Sequence, residues 1–592
     1  MENNGFLPIS KKEMTDLGWY YYDFLLITGD AYVDHPSFGA AVISRVLEDK
    51  GYRVAILSQP QNKVDLEKMG KPRLATLITA GNIDSMVAHY SVAKKRRAKD
   101  SYTAGGKAGK RPDMATIVYT QYSREAFGDT PVILGGLEAS LRRFAHYDYW
   151  KDAVLPSILV QSGADMLCFG MSETSIVEIA NRLKRKKKPS DMTDIRGTAF
   201  LTDAPPTGDD VISVPSFDKI TSEKRQYAKF ANMVQQEQDH VRGHIIVQEQ
   251  EEGLYLVQQK PSIPLETEEL DKVYALPYMR YYHPSYEERG GVAAIEEVEH
   301  SIIHNRGCFG SCNFCALALH QGRYVTSRSH ESVLEEAHKI VNGPRFKGYI
   351  HDVGGPTANF RRPACKKQKK LGTCKDRQCL YPTPCPNLDA DENDYLKLLT
   401  EIREIKGVKK VFVRSGIRFD YMLADKKSNF FSELVKHHIS GQLKVAPEHI
   451  SPNVLYYMGK PNVETYEKFC EQYKKLNEKH GKNQFLVPYL MSSHPGSDLK
   501  DAITLALYLK KNKVVPEQVQ DFYPTPGTLS TAMYYTGIDP RTMKPVFVEK
   551  SAEGKAMQRA LLQPRNPKNR ALVVKALKKA KREDLIGKGG LL

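Results

Sequence analysis

The chain has 592 residues, with 86 Lys and Arg against 70 Asp and Glu, and nine cysteines. At about 150 residues per domain, this length predicts about four units or fewer large ones. The 41% hydrophobic and 26% charged fractions exclude disorder throughout. The sequence has no run of about 18 apolar residues, so it predicts no membrane span. Its first residues do not follow the pattern of a secretory signal. We therefore expect a cytoplasmic protein with no membrane partner, whose thiols stay reduced.

Strand and helix patterns alternate from about residue 20 to residue 185. Short apolar runs ending near a glycine or a polar residue are typical of parallel strands. They cover residues 23–28, 52–57, 74–78, 131–136 and 166–170. This alternation predicts a doubly wound α/β domain over residues 1–185, with any site formed by loops at the strand ends.

The rest of the chain divides into three segments. Residues 186–295 are rich in Gln, Glu and Pro and are predicted to form an irregular linker or embellishment. Strand–helix alternation returns over 296–540, which predicts a second α/β domain. Its strand candidates are 348–353, 410–414, 443–446, 485–490 and 517–522. Residues 541–592 carry fourteen Lys and Arg against four Asp and Glu, and form a basic tail.

Seven of the cysteines fall into two groups, and the first has the spacing C-x3-C-x2-C. It comprises Cys308, Cys312 and Cys315. Three thiolates so close in sequence can each bind one iron of a cubane cluster, leaving the fourth iron open for another ligand. Structural zinc is the competing interpretation, but such sites need four ligands and usually pair C-x2-C units. Gly307 and Gly310 favour the cluster, because a tight loop around it needs small residues.

The same stretch resembles the radical S-adenosylmethionine superfamily, whose hallmark is C-x3-C-x-aromatic-C, with Phe314 as the aromatic residue here. Further motifs are similar to the YgiQ-type group of that superfamily, and they follow in the same order along nearly the whole chain. They are His320-Gln321-Gly322-Arg323, Asp352-Val353-Gly354-Gly355-Pro356-Thr357, Val445-Ala446-Pro447-Glu448-His449 and Asp521-Phe522-Tyr523-Pro524-Thr525-Pro526-Gly527-Thr528.

The resemblance implies a partial (β/α)6 barrel over 296–540 and a pair of cofactors. Cys308, Cys312 and Cys315 would hold a [4Fe-4S] cluster, which would cleave S-adenosylmethionine reductively to a 5′-deoxyadenosyl radical. A reductant such as flavodoxin or ferredoxin would supply the electron. The resemblance implies neither the substrate nor the reaction that the radical begins.

The resemblance also implies residues that bind S-adenosylmethionine. Phe314 would lie against the adenine, and the backbone of Gly354 and Gly355 would contact the methionine amino group. Pro356 and Thr357 stand where other members carry an acid, which puts the geometry of this loop in doubt. An ordinary turn after a strand is the alternative for the two glycines.

Three polar residues after later strands complete the predicted cofactor site. Ser415 and Arg418 suit the ribose and the carboxylate of S-adenosylmethionine, and Glu448 suits the ribose hydroxyls. A surface arginine beside a capping serine is the alternative for the first two. A helix cap is the alternative for Glu448.

The second cysteine group lies in a basic, proline-rich insertion at 361–388. It comprises Cys365, Cys374, Cys379 and Cys385. Nearby cations lower thiolate pKa values and offset the charge of a tetrathiolate site. A metal is the natural way to hold such a loop together. This predicts a second metal, either zinc or an auxiliary iron–sulfur cluster, with free thiols in a basic loop as the alternative.

The N-terminal domain resembles the cobalamin-binding domains of some radical enzymes, through Asp34-His35-Pro36-Ser37-Phe38-Gly39 and the run 131–136. Because His35 directly follows Asp34, the usual Asp-x-His-x-x-Gly motif for the lower ligand is absent. The domain either binds cobalamin without a histidine ligand or is a relic that packs on the barrel, and we favour the relic. Residues 94–111 are interpreted as a mobile basic loop.

Three hypotheses for function follow. The first is a radical enzyme that acts on a small molecule or a macromolecule; the net charge of +16 makes RNA a candidate substrate. The second is a zinc-stapled nucleic-acid-binding protein, and the third is an iron–sulfur protein for electron transfer or sensing. Three rather than four cysteine ligands at 308–315, followed by Gly354 and Gly355, favour the first.

Overall fold

A computed structural model describes residues 5–516, 519–587 and 590–591. The N-terminal part is a twisted sheet with helices on both faces, and the second part is a curved row of parallel strands with helices outside. The N-terminal strands are β1 Phe24–Thr28, β2 Val33–Asp34, β3 Val54–Ser58, β4 Ala75–Thr79, β5 Val132–Leu134, β6 His146–Asp148, β7 Ala153–Leu155, β8 Met166–Cys168, β9 Thr198–Thr202, β10 Val211–Ser213, β11 Ile245–Glu251, β12 Leu254–Gln258 and β13 Tyr281–Tyr282. Its helices are α1 Lys11–Asp16, α2 Gly39–Asp49, α3 Lys63–Met69, α4 Ser85–His89, α5 Ala115–Phe127, α6 Gly136–Leu141, α7 Ile158–Ser162, α8 Glu173–Lys184, α9 Phe217–Ser222, α10 Lys224–Gln236 and α11 Thr267–Ala275.

The second part begins at residue 301. Its strands are β14 Ser301–Ile303, β15 Asn305–Arg306, β16 Thr326–Ser327, β17 Tyr349–Ile350, β18 Asp352–Gly354, β19 Lys410–Val411, β20 Gln442–Glu448, β21 Phe485–Ser492 and β22 Val519–Asp521. Its helices are α12 Leu317–His320, α13 His330–Val341, α14 Gln368–Leu371, α15 Asn393–Glu404, α16 Phe419–Ala424, α17 Phe430–Glu433, α18 Pro452–Met458, α19 Val463–Lys479, α20 Leu499–Lys511, α21 Leu529–Thr536, α22 Ala552–Leu562 and α23 Arg570–Lys579.

The N-terminal sheet has the order β10-β11-β12-β9-β8-β5-β4-β1-β3. The five strands from β8 to β3 pair in parallel, which confirms the doubly wound α/β prediction. Their residues are almost all buried, as expected for strands covered by helices on both faces. The chain winds outward in both directions from β1 and β4, so the ends of these two strands mark the switch point, where such folds usually bind ligands.

The segment 186–295, expected to be irregular, instead extends this sheet with β9 to β12. In β11 and β12 the strand pattern is hidden because buried positions carry glutamine: Gln248, Gln250 and Gln258 are fully buried. The side-chain oxygens of all three accept hydrogen bonds from distant loops; the Gln248 oxygen, for example, accepts the Ala145 N–H at 3.0 Å. Buried amides with partners are stable in a core, but they remove the apolar alternation by which a strand is recognised.

The second part is a partial (β/α)6 barrel, as predicted. β14 pairs with β18, β17 with β19, β20 with β21 and β21 with β22, all in parallel. A parallel bridge between Ile417 and Val445 joins the third strand position to the fourth. The predicted strands from 348 to 490 are thereby confirmed; of the candidate at 517–522, residues 517 and 518 lie outside the described residues.

The two parts pack so that the carboxyl edge of the N-terminal sheet covers the mouth of the barrel. His320 on α12 and Ser140 on α6 meet at 3.2 Å between Nδ1 and Oγ. Arg306 forms a buried ion pair with Glu173. Aromatic rings after β6 and β22 also meet across this interface. Burial of this kind excludes water from the carboxyl ends of the barrel strands.

The basic tail is folded rather than extended. α22 and α23 bury Leu561 and Leu577 against Ile503 of α20 in one apolar cluster. The charges lie on the outer faces, where Lys575 pairs with Glu553. Among the described residues, no helix has the length and hydropathy needed to cross a membrane.

Candidate functional site

The C-x3-C-x2-C segment forms a tight loop between β15 and α12. Gly307 opens it with φ +83°, and a Cβ at this position would overlap the Tyr324 carbonyl. The Cys315 N–H donates to the Cys312 carbonyl at 3.1 Å, which closes the turn. The Asn313 N–H donates to the Met458 carbonyl at 2.9 Å, so the end of α18 holds the loop from the barrel side.

The three thiols lie in a largely apolar place with a cation beside them. Burial, followed by the neighbouring thiols of Cys312 and Cys308, raises the pKa of Cys315 to about 12. The Arg418 Nη1 donates to Cys312 Sγ at 3.3 Å, and Cys308 Sγ is 3.3 Å from Thr357 Oγ1. Ionising these buried thiols would cost free energy if no metal were bound. Iron ligation offsets that cost, because iron takes the place of the thiol protons. The donor set therefore fits an iron–sulfur cluster.

The cysteine groups differ from mononuclear metal sites. Within the described ranges, no three His, Cys, Asp or Glu side chains converge to hold a single metal ion. A cubane cluster distributes its thiolates over separate irons, so its ligands need not meet at one point.

Arg418 is held as a fixed cation beside the cysteine loop. Its Nε and Nη2 donate to the two carboxylate oxygens of Asp420, at 2.8 and 2.5 Å. Burial opposes the charge of Arg418, but Asp420 and the two thiols outweigh it and raise its pKa. Because two of its three nitrogens bind Asp420 and the third faces Cys312, its predicted contact with the cofactor carboxylate stays a prediction.

Gly354 and Gly355 follow β18 at the carboxyl edge of the barrel, and close packing demands both. A Cβ on Gly354 would overlap Ser415 Oγ, and one on Gly355 would overlap the side-chain oxygen of Asn305. Ser415 in turn donates to Asp352. The structure therefore brings the predicted residues Gly354 and Ser415 together, with their backbone close to the mouth of the barrel.

Glu448 and Lys460 are neighbouring groups of opposite charge near the cysteines. Glu448 ends β20 with φ +67°, a strained conformation for a residue other than glycine. Burial raises its pKa, and the charges of Lys460 and Arg418 oppose that shift. Lys460 is only 4% exposed, and among the described residues no hydrogen bond or ion pair engages its ammonium group. Lys460 was not predicted, since no pattern marks a lysine after the end of a short helix.

Phe314 faces the barrel interior beside a histidine that the sequence did not indicate. The Phe314 ring meets His494 edge-on at 6.0 Å between ring centroids. Burial lowers the pKa of His494 to about 3, so its imidazole is neutral at physiological pH. Its Nε2 is 2.8 Å from Ser530 Oγ. The Phe314 ring gives this part of the site an apolar surface, and its predicted contact with the adenine stays a prediction.

The second cysteine group is also brought together. Burial raises the pKa of Cys379 to about 11; Arg323 opposes this shift, and the other three cysteines add to it. The Cys385 N–H donates to the Cys379 carbonyl at 2.9 Å. The Gln368 amide lies 3.6 Å from Cys379 Sγ. The four thiols lie in one insertion and influence the pKa of Cys379, and the second metal predicted there stays a prediction.

The N-terminal switch point is filled by the protein itself. Arg111 is fully buried between the ends of β1 and β4, where its Nη2 lies 2.8 Å from Asp30 and 3.3 Å from Asp100. Its Nη1 donates to the Ala80 carbonyl at 2.8 Å. The prediction of a mobile loop over 94–111 was therefore wrong at Arg111. This edge does not fit cobalamin, since Arg111 and its partners occupy the groove.

Comparisons with known proteins agree with this architecture. A family model described as "Radical SAM N-terminal" matches residues 6–301, and a domain of unknown function matches 517–591. A UPF0313 protein of Clostridium perfringens (strain 13 / Type A) is 57% identical over 592 residues, which are 100% of this chain and 89% of that protein. One from Clostridium botulinum (strain Kyoto / Type A2) is 56% identical over 591 residues, covering 100% and 92%.

The solved structures found are more distant. Two structures of the radical S-adenosylmethionine methyltransferase TsrM from Kitasatospora setae align with TM-scores of 0.46 and 0.48 and identities of 14% and 13%. The alignments cover 85% and 86% of this chain and 74% and 77% of theirs. Alignments with TM-scores this low support no conclusion about this chain.

The barrel, its cysteine loop and the family match define an enzyme of the radical S-adenosylmethionine superfamily, which confirms the predicted class. Within that class, the chain belongs to the UPF0313 family.

Proposed function

We propose that the protein cleaves S-adenosylmethionine reductively at Cys308, Cys312 and Cys315 and uses the resulting radical on an enclosed substrate. The observation that carries this proposal is the position of the three thiols. They lie in one buried loop at the mouth of a parallel barrel, beside Arg418. A reduced [4Fe-4S] cluster would supply the chemistry, breaking the sulfonium C–S bond to give methionine and a 5′-deoxyadenosyl radical.

The residues of the chain would hold and orient the cofactor. The backbone of Gly354 and Gly355, at the carboxyl edge of the barrel, would contact the methionine amino group. Among the described residues the Lys460 ammonium group makes no hydrogen bond or ion pair, and it suits the carboxylate of S-adenosylmethionine. Ser415 and Glu448 suit the ribose. Phe314 offers an apolar face for the adenine. The N-terminal domain covers the site, which would protect a radical from solvent.

Four cysteines outside the first loop support a second metal. Cys365, Cys374, Cys379 and Cys385 would bind zinc or an auxiliary iron–sulfur cluster. A protein with nine free cysteines and such centres requires a reducing compartment, which favours the cytoplasm. RNA remains a candidate substrate, because the lysines of the folded basic tail lie on an outer surface.

Two other functions make distinct predictions. A zinc-stapled nucleic-acid-binding protein would be colourless, contain only zinc, and lose affinity steeply as salt rises. An electron-transfer or sensor protein would hold a cluster but would not cleave S-adenosylmethionine. The three-cysteine loop with Lys460 and Glu448 beside it favours the enzyme over both.

One experiment tests the proposal. Anaerobically reconstituted protein, dithionite and S-adenosylmethionine should yield 5′-deoxyadenosine. Cys312→Ala should lose at least about a hundredfold of this activity because a cluster ligand is gone. Cys470→Ala, a change outside both cysteine groups, should retain it. Full activity in Cys312→Ala would contradict the assignment of the cluster ligands.

A further inference from the structure

The Cys-rich insertion is held to the cluster loop by direct hydrogen bonds. The Gln378 amide donates to the Ser311 carbonyl at 2.6 Å and to the Asn313 side chain at 3.0 Å. From the other side, Arg323 donates to the carbonyls of Cys374 at 2.7 Å and Arg377 at 2.8 Å. The two cysteine groups are therefore parts of one rigid assembly.

A single apolar cluster also joins the two groups. Cys308 and Phe309 of the first loop and Leu380 of the insertion are buried in it, and Cys379 packs against it. In this layer Phe309 stacks on Phe360 with 3.7 Å between ring centroids. A buried apolar layer of this kind lies between the second thiol group and the first.

The opposite side of the insertion faces solvent and is strongly basic. Its exposed lysines are Lys366, Lys367, Lys369 and Lys370. Among the described residues, Lys369 alone of these four has an ion-pair partner, Glu266 at 4.0 Å. Leu371 is 52% exposed beside them, and Cys374 is exposed. An apolar centre within a cationic rim matches the surface of an acidic protein partner.

We propose that Cys365, Cys374, Cys379 and Cys385 bind an auxiliary iron–sulfur cluster that relays electrons from an acidic redox protein docked on this lysine face. The inference rests on the proposed function, because the first cluster is its electron acceptor. One electron leaves the donor, reduces the auxiliary cluster and passes to the cluster of the first loop. No bond forms or breaks in this transfer, and no proton is needed. Zinc could not serve, because it has no redox chemistry in proteins.

The first test removes the second centre and leaves the first intact. In Cys374→Ser/Cys385→Ser, iron and acid-labile sulfide should fall by about half, since two clusters become one. Dithionite is small and can reduce the first cluster directly, so dithionite-driven formation of 5′-deoxyadenosine should persist. The rate driven by prereduced flavodoxin should fall at least about tenfold. Cys470→Ala should change neither rate.

The second test changes only the docking face. In Lys366→Glu/Lys367→Glu/Lys370→Glu, both clusters should remain. Flavodoxin-driven cleavage should again fall at least about tenfold, because charge reversal opposes the encounter, while dithionite-driven cleavage is kept. In the wild type, the flavodoxin-driven rate should decrease as ionic strength rises. These residues are exposed, so circular dichroism should show an unchanged fold.

Several outcomes would overturn the inference. Zinc in the wild-type protein, or full iron content in the double cysteine variant, would refute the auxiliary cluster. An unchanged flavodoxin-driven rate in the lysine variant would refute the docking face; loss of binding to a single-stranded RNA oligonucleotide instead would make it a nucleic-acid site. Absence of dithionite-driven cleavage in the wild type would refute the proposed function, and iron content and spectra would still report on the second centre alone.

Discussion

At the scale of single residues, the cluster site is a set of buried charges arranged around three thiols. Arg418 is fixed by Asp420 and faces Cys312, so its charge offsets the thiolates. Lys460 is buried near Glu448, and among the described residues its ammonium group makes no hydrogen bond or ion pair. A buried ammonium group is costly without a hydrogen bond, so Lys460 beside the cysteine loop favours a bound ligand that carries a negative group.

Lys460→Met should weaken binding of S-adenosylmethionine to the reconstituted protein by roughly ten- to a hundredfold, the worth of a charged hydrogen bond. Titration calorimetry would measure the dissociation constant. Lys460→Arg should recover part of the affinity because it keeps the charge, and exposed Lys500→Met should have no effect. Equal affinity in Lys460→Met and the wild type would exclude a contact with the cofactor.

Asp420→Asn should destabilise the protein at pH 7 by about 3–5 kcal/mol, because it leaves Arg418 buried without its counter-charge. Burial raises the pKa of Asp420, but Arg418 outweighs burial and holds it below the ordinary 3.8. The pair therefore stabilises the fold above about pH 4, and this contribution disappears as pH falls through the folded pKa. Melting temperatures should differ at pH 7 and converge below pH 4, with exposed Asp376→Asn as the control.

At the scale of elements, glycines allow loops to approach one another around the cluster. Gly310 lies between Arg418 and Cys308, and a Cβ there would overlap the Arg418 guanidinium and lie 3.3 Å from Cys308 Sγ. A Cβ on Gly416, in a neighbouring loop, would enter open space. The same substitution in the two loops should therefore have different effects.

Gly310→Ala should reduce iron content after reconstitution, because the added methyl group displaces Arg418 or Cys308. Iron and sulfide analysis, with the charge-transfer absorbance of the cluster, would measure this loss. Gly416→Ala should load normally. Normal loading in both variants would show that the cysteine loop adapts, contrary to the packing described here.

At the scale of the whole molecule, the N-terminal domain closes the barrel and fills its own ligand groove. Arg111, Asp30 and Asp100 occupy the switch point between β1 and β4. The helices α22 and α23 of the C-terminal tail pack on α20 and form a small apolar core with it. The N-terminal domain therefore closes the barrel, and the C-terminal helices pack against its outside.

The filled groove predicts that cobalamin does not remain with the protein through gel filtration, as its visible absorbance would show. Arg111→Ala should lower stability by about 3–5 kcal/mol, because two buried carboxylates lose their counter-charge. Exposed Arg96→Ala should change it by less than about 0.5 kcal/mol. Stoichiometric cobalamin retained by the wild type would contradict the filled groove.

Sequence patterns predict most of the parallel strands, and the resemblance of the cysteine loop and later motifs to a known superfamily predicts the class of enzyme. Buried strands such as β1 and β5 have local apolar runs, and cluster ligands close in sequence, such as Cys308, Cys312 and Cys315, are recognisable by spacing. Strands β11 and β12 are not recognisable in this way, because Gln248, Gln250 and Gln258 occupy buried positions whose partners come from distant loops.

Only the tertiary structure decided which distant residues meet. Lys460 lies beside Glu448, Arg111 fills the switch point, and Gln378 joins the two cysteine groups, all through contacts between segments far apart in the chain. A residue pattern reports local periodicity and ligand spacing, because these depend on neighbours in sequence. The charge balance of a buried site depends on neighbours in space, which the fold alone brings together.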